Sequence, residues 1–347
     1  MEQRRLGRTD ISVSALCLGT MMYGDQIDET EAYRQMDACR DRDINFFDTA
    51  ELYTIPPKPE TQGESERIVG RWMKDRGARS DIVLATKVTG RSPMDYLRDG
   101  EATRLSRTQI RRAVERSLEN LQTDYIDLYQ THWPDRRAPL FGAELKGFRP
   151  YKDDWISFEE TLETLTDLQK EGLIRHVGLS NETAWGVMRH LETAEKHGLA
   201  RVQSIQNAYN LVNRNFEIGL AEIAFQEDVG LLAYSPIAQG ALSGKYLGGA
   251  KPEGSRGALF GRLDRYQTPS ADAAIRSYVD LARDFDLDPS ALAMQFVTTR
   301  SFVTSNIFGA SNAAQLETVF ASLDIAWTEE LEQAVNALHA KLPNPCP

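Results

Sequence analysis

Four polar residues stand at or just beyond the ends of short apolar runs. Asp48 closes the run 44–48, Tyr53 follows it in Thr49-Ala50-Glu51-Leu52-Tyr53, Lys87 closes 82–87, and His132 follows 125–130. Singly, each has an ordinary explanation. An Asp at a strand end caps a turn. A Tyr buries its ring and leaves its hydroxyl at the surface. A strand-end Lys is solvated, and a His beside Trp133 packs. Jointly they form a proton-transfer set. A phenol has a pKa of about 10, a neighbouring ammonium lowers it, and a carboxylate keeps that ammonium charged. An imidazole can hydrogen-bond the phenol or a substrate oxygen. Such a set delivers a proton to an alkoxide, which is what carbonyl reduction by hydride requires. No side chain supplies hydride, so a redox cofactor is implied.

The set works only if the strand ends converge. Eight apolar runs read as strands: 16–18, 44–48, 82–87, 125–130, 174–179, 202–206, 231–235 and 305–308. Several are nearly continuous, as expected of parallel strands covered on both faces. Helical stripes lie between them, for example Ile110, Ala113, Val114, Leu118 and Leu121. Ser106 with Gln109, and Ser157 with Glu160, make capping-box patterns, and Gly77 sits where a helix should stop. Strand and helix alternate about eight times. That rhythm predicts a single-domain (β/α)8 TIM barrel over residues 1–347, with an open doubly wound sheet as the rival. Segments 53–63, 134–155 and 248–269 break the rhythm. Each follows a predicted strand, which in a barrel puts them on the C-terminal face as active-site loops.

Composition closes off other classes. The 347 residues are 41% hydrophobic and 26% charged, ordinary for a globular chain. A net charge of −11 disfavours nucleic acid as a partner. No apolar run is long enough to span a membrane, and the first residues lack a signal-peptide core; the expectation is a cytoplasmic protein. Three cysteines and five scattered histidines offer neither a disulfide framework nor a metal site. No G-x-G occurs, so the Rossmann fingerprint is absent. Gly240-Ala241-Leu242-Ser243-Gly244-Lys245-Tyr246 is one residue short of a P-loop and lacks its magnesium-holding hydroxyl, which excludes ATP hydrolysis. It suits either an ordinary turn or an anion held by backbone N–H groups.

The ordered set Asp48-x-Ala50-x-x-Tyr53, Lys87, His132, Gly178-Leu179-Ser180-Asn181, Gln206-Asn207, Tyr234-Ser235-Pro236 and Gly309-Ala310-Ser311-Asn312-x-x-Gln315-Leu316 resembles the aldo-keto reductase family over essentially the whole chain. The stretch Pro56-Pro57-Lys58-Pro59-Glu60-Thr61-Gln62-Gly63 and Ser180-Asn181-Glu182-Thr183 resemble its bacterial Tas-like, NADP(H)-dependent branch. The resemblance implies a barrel preceded by a short hairpin, here 4–6 and 13–16. It implies NADPH-dependent reduction of aldehydes or ketones. Tyr53 would be the general acid, Lys87 would lower its pKa, Asp48 would pair with Lys87, and His132 would orient the carbonyl. Ser180, Asn181 and Gln206 would hold the nicotinamide carboxamide and Tyr234 would stack on its ring, with Gly19, Thr20 and Met21 alongside Asp48. Ser235, Ile237, Gln239, Leu242, Gly244 and Lys245 would grip the pyrophosphate. Gly309, Ser311 and Gln315 would take the adenosine end, with Lys245, Arg256 and Arg262 supplying a 2′-phosphate site. Relatives often carry Asn four residues beyond that Gln, where this chain has Val319.

Substrate contacts would come from Tyr53, His132, Met22, Tyr23, Trp133 and the loops 134–155 and 248–269. Trp155, Phe141 and Phe148 either form an aromatic wall suited to aromatic or medium-chain carbonyls, or anchor their own loop. Two other functions compete. One is a cofactor-binding, redox-sensing subunit with slow turnover, like the potassium-channel β-subunits of the same family. The hairpin begins within the first few residues, which leaves no room for their inactivating peptide. The other is a barrel hydrolase using Glu51 and Glu159 as paired carboxylates. The expected partner is a small-molecule carbonyl, and the expected state a monomer.

Overall fold

The computed structural model describes residues 1–139, 150–152, 154–261 and 263–346. Two short antiparallel strands, β1 (Gln3–Arg5) and β2 (Ser12–Ser14), pair Arg4 with Val13. Eight parallel strands then close a barrel in chain order. They are β3 (Leu16–Gly19), β4 (Phe46–Asp48), β5 (Val83–Val88), β6 (Ile126–Thr131), β7 (Ile174–Ser180), β8 (Val202–Ala208), β9 (Gly230–Tyr234) and β10 (Val303–Phe308), which pairs back onto β3. The closed sheet is the predicted (β/α)8 barrel, and the doubly wound rival falls. The second hairpin strand ends at Ser14 instead of running to Leu16, because Leu16 already pairs with Asn306 in the barrel.

Alternation along the strands decides what faces inward. Cys17, Phe46, Ala85, Leu128, Leu232 and Ile307 form the barrel interior, and Leu6 and Val13 of the hairpin pack beneath them. The hairpin therefore plugs the N-terminal end. Two residues further along β4, β5, β6 and β8 the same inward positions are Asp48, Lys87, Gln130 and Gln206. The interior thus changes from apolar to polar at its C-terminal end. Gly178 of β7 makes room there, since a Cβ would lie 2.7 Å from Ser204 Oγ and 3.1 Å from Gln130 Cγ.

The outward strand residues meet a helical ring. It includes α1 (Glu29–Arg40), α2 (Glu64–Arg76), α3 (Arg107–Leu121), α4 (Phe158–Lys170), α5 (Ala184–His197) and α6 (Leu220–Gln226). After β9 come α7 (Arg256–Phe260), α8 (Pro269–Asp284) and α9 (Pro289–Thr298), and after β10 come α10 (Ala313–Ala321) and α11 (Glu329–Lys341). Gly77 ends α2 at φ +58°, a left-handed stop that glycine takes without a Cβ clash. Ser157 caps α4 by accepting from the Glu160 amide at 3.0 Å. The capping box expected at Ser106 is not made. Ser106 has no side-chain cap bond, and Gln109 instead accepts from the Arg104 amide at 2.7 Å and donates to Ala102 O at 3.1 Å. The backbone of the preceding loop took the partner that the local motif would have used.

Helices α2 and α3 touch backbone to backbone at Gly70. A Cβ there would lie 2.5 Å from Asn120 O and 2.7 Å from Leu121 Cα. In an exposed helix interior, Gly→Ala stabilises by about 0.5–1 kcal/mol. Here the overlap reverses the sign, and Gly70→Ala is expected to lose about 1–3 kcal/mol. Urea denaturation of the two proteins checks it, and a stabilised variant would show that the helices separate freely.

Candidate active site

The barrel's polar end gathers Asp48, Tyr53, Lys87 and His132 as the strand order requires. Lys87 is 0% exposed and directs its ammonium to three oxygens: Asp48 Oδ2 at 2.5 Å, Thr49 O at 2.7 Å and the Tyr53 hydroxyl at 3.3 Å. Asp48 Oδ1 accepts from Gln130 Nε2 at 3.0 Å and Gln206 Nε2 at 2.9 Å. A buried charge pair is tolerable because its hydrogen-bonding capacity is used. The Tyr53 and His132 rings meet edge-on at 5.6 Å, and the His132 amide donates to Val88 O at 2.8 Å.

Burial separates the charge states. It pushes the Tyr53 phenol up, and the Lys87 cation only partly offsets this, with Asp48 adding to the rise. Lys87 acts in the expected downward direction, by its charge and its hydrogen bond, and burial outweighs it. Burial also works against the Lys87 ammonium, yet the neighbouring Asp48 and Tyr53 hold its pKa above the ordinary lysine value. Burial, then the Lys87 charge, drives the His132 imidazole well below 6.5. The site thus combines a protonated phenol, a charged lysine and a neutral imidazole, groups that can pass one proton to a developing oxyanion.

The description of the aldo/keto reductase family matches residues 15–340. The chain belongs to that family. It is 44% identical to Protein tas of Escherichia coli (strain K12), covering 100% of both chains. It is 38% identical to an aldo-keto reductase of Babesia bovis over 77% of this chain and 98% of that one. It is 30% identical to a probable voltage-gated potassium channel subunit beta of Oryza sativa subsp. japonica, over 94% and 92% of the two chains. As a member of the aldo/keto reductase family it is an oxidoreductase.

Beside the four residues lies a second polar group. Asn181, at φ +51°, donates to His132 O at 2.9 Å and to Ser180 Oγ at 3.1 Å, and its Oδ1 accepts from the Tyr234 hydroxyl at 2.7 Å. Ser180 donates to Gln206 O at 2.8 Å. Gln206 donates to Asp48 and also to Gln130 Oε1 at 3.2 Å. After β9 the backbone turns left-handed at Ser235, Ala238, Gln239, Gly240 and Gly244, and the Ala238, Gly240 and Gly244 amides donate within the turn to Ser235 O at 2.9 Å, Ile237 O at 2.9 Å and Ala241 O at 3.0 Å. Leu242 differs from its expected place: its side chain is buried in the core, and its amide donates to Ile237 O at 3.3 Å. Lys245 is exposed and Arg256 begins α7 half-buried. Gln315 folds back so that its Oε1 accepts from the Ser311 amide at 2.9 Å and from the Ser311 hydroxyl at 3.0 Å. Val319 lies on the buried face of α10.

Several expected contacts have other roles. Tyr23 is 1% exposed and donates to Gln35 Oε1 at 3.2 Å, so it is a core ring under α1 and not part of a substrate wall. Thr20 is buried with its hydroxyl on Asp48 O at 3.1 Å and on Ser65 Oγ at 2.7 Å, bracing the end of β4. Gly19 lets β10 come close, since a Cβ would lie 2.9 Å from Ile307 Cγ2. Met21 and Gly309 sit at the ends of the same two strands. Trp133 packs with Leu52 and Leu97 and donates to Arg91 O at 2.9 Å. Trp155 is 40% exposed, edge-on to Tyr151. Phe141, Phe148 and Arg262 lie outside the described residues. Glu51 is buried on Arg98, and Glu159 pairs with His197 on the outer helices, so the two do not form a carboxylate pair. Gln130 was missed by the sequence reading. Its signal was a polar residue at an inward strand position.

Buried and facing the Lys87 charge, the His132 ring is expected to stay neutral well below the pH at which a free imidazole takes up its proton. The unfolded chain takes up that proton near about pH 6.5 while the folded one does not, so this group removes stability as pH falls through the unfolded value. Nitrogen-15 shifts of the His132 side chain measure it; a midpoint near 6.5 would mean the ring is solvated.

Proposed function

We propose that this oxidoreductase reduces aldehydes or ketones to alcohols with NADPH, Tyr53 serving as general acid. The observation that carries the reading is the single buried ammonium of Lys87 shared between Asp48 and the Tyr53 hydroxyl. A bound reduced nicotinamide supplies the hydride, which no side chain can. Tyr53 gives its proton to the oxygen that becomes the alcohol hydroxyl. Lys87, 3.3 Å from the phenol oxygen, stabilises the phenolate left behind. Asp48 holds that ammonium in place. The neutral His132 carries one N–H, able to hydrogen-bond the carbonyl oxygen without competing as an acid. In alcohol oxidation the same groups run in reverse.

The residues fit a nicotinamide carboxamide. Both Nδ2 protons of Asn181 and both Nε2 protons of Gln206 are spent on protein acceptors. What is left is the Gln206 oxygen and the second lone pair of the Asn181 oxygen, whose first takes the Tyr234 hydroxyl; both suit the –NH2 of a carboxamide. Tyr234 is held by Asn181 beside them, in position to stack. The left-handed turns at 235–244, with the exposed Lys245 after them, would lie along a pyrophosphate. NADPH is preferred over NADH because Ser311, Gln315, Lys245 and Arg256 would supply a polar, cationic adenosine end. The substrate is a small-molecule aldehyde or ketone, handled by one barrel domain acting as a monomer in the cytoplasm.

A second reading is favoured by the similarity to a probable potassium channel subunit beta. On that reading the chain binds the cofactor and turns over slowly. Single-turnover oxidation of bound NADPH by an activated aromatic aldehyde separates the two. Fast oxidation, much slower with NADH, is the expected result. Tight binding without oxidation would favour the sensing role. Tyr53→Phe should keep NADPH affinity and lose about 10²–10⁴ in rate; a variant reducing carbonyls at the parent rate would overturn the assigned proton donor.

A further inference from the structure

One buried ion pair near the site has no part in the proton-transfer set. Glu51 lies between Asp48 and Tyr53 in the turn leaving β4, and it is 0% exposed. Its Oε1 accepts from Arg98 Nη2 at 2.7 Å and from the Thr89 amide at 2.7 Å, and its Oε2 accepts from Arg98 Nη1 at 2.8 Å. Arg98 ends the short 3-10 turn Asp95–Arg98, within the excursion between β5 and α3, and its neighbour Leu97 packs on Leu52 and Trp133. Three irregular segments therefore meet at one carboxylate: the turn carrying Tyr53, the backbone two residues past Lys87, and the excursion over the barrel mouth.

We infer that Glu51 and Arg98 are positioning residues for Tyr53, a two-pronged clamp that sets the phenol's distance from Lys87. This rests on the reading of Tyr53 as proton donor. Neither end of the clamp lies in a strand. The β4–β5 ladder runs on through the Thr49 amide to Ala85 O at 2.9 Å and ends at the long bond from the Glu51 amide to Lys87 O at 3.3 Å. Beyond it the turn is tied only locally or by single bonds: the Tyr53 amide to Ala50 O at 3.0 Å, Gln62 Nε2 to Glu51 O at 3.1 Å, and the Gly63 amide to Tyr53 O at 2.9 Å. The contact that matters for chemistry, Lys87 to the phenol, is long at 3.3 Å and cannot hold the ring by itself. A buried pair adds little net stability over an apolar pair of the same volume. A bidentate guanidinium–carboxylate does fix both distance and plane. That is the property the Tyr53 turn otherwise lacks.

The test replaces both charges at similar volume in Glu51→Gln/Arg98→Met and uses the full-length enzyme. Misplacing a reacting group by about 1 Å costs up to about a hundredfold. The double variant is expected to keep NADPH affinity and KM within about twofold and to lose about tenfold or more in kcat. Arg98→Lys keeps the charge but not the fork and should fall between; it carries the test if the double variant does not fold. Amide exchange gives a readout independent of turnover: the Glu51, Tyr53 and Gly63 amides should lose protection while those of β5 and β6 keep theirs. Unchanged kcat with unchanged protection would overturn the clamp. A parent enzyme without turnover would instead defeat the proton-donor reading, and the exchange pattern alone would then decide whether the pair holds the turn.

Discussion

A lysine ammonium with no access to water sets the terms for the rest of the site. Lys87 is fully buried, so each of its three protons needs an oxygen, and the barrel provides them from Asp48, Thr49 and Tyr53. Breaking such a pair by removing one partner costs about 3–5 kcal/mol, because the other charge is left uncompensated. The requirement propagates outward. Asp48 needs donors for its second oxygen and takes them from Gln130 and Gln206. Those amides need space, which Gly178 leaves. The apolar plug of the hairpin and lower barrel keeps water from the other end. One buried charge thus accounts for side chains on four strands.

The same burial sorts the proton inventory. It raises the phenol and lowers the imidazole, so both are neutral, while the lysine stays charged through its partners. A neutral phenol beside a fixed cation is prepared to give up a proton only when negative charge develops on a nearby oxygen. An imidazole that cannot take the proton remains a hydrogen-bond donor. The division follows from the dielectric of the site together with one ion pair, without special geometry at any single residue.

Around this centre the loops do different work from the strands. The strands set which groups face inward. The turns after β7 and β9 supply left-handed residues, Asn181 and then Ser235, Ala238 and Gln239, and the Asn181 side chain joins His132 O to the Tyr234 hydroxyl. The excursions after β4 and β5 meet at the Glu51–Arg98 pair, and the second also closes on itself through the Ser92–Thr103 backbone bridge.

Much of this was legible in the residues. The alternation of apolar runs with helical stripes gave the closed eight-stranded barrel, since period-two and period-3.6 patterns are local and depend little on distant partners. Asp48, Tyr53, Lys87 and His132 were readable because each stands at or just beyond the end of a strand, and strand ends in such a barrel must converge. Tertiary packing decided the rest. Tyr23 and Thr20 had the right positions but were absorbed by α1 and by the end of β4, because burial depends on neighbours distant in the chain. Gln109 left its helix start for an unpaired loop amide. The direction of the Tyr53 shift needed the sum of burial and two charges, and the roles of Gln130 and of the Glu51–Arg98 pair emerged only when segments 82 and 47 residues apart met. Sequence determines what a residue can do through its type and local period; which of those things it does is set by the atoms that folding brings against it.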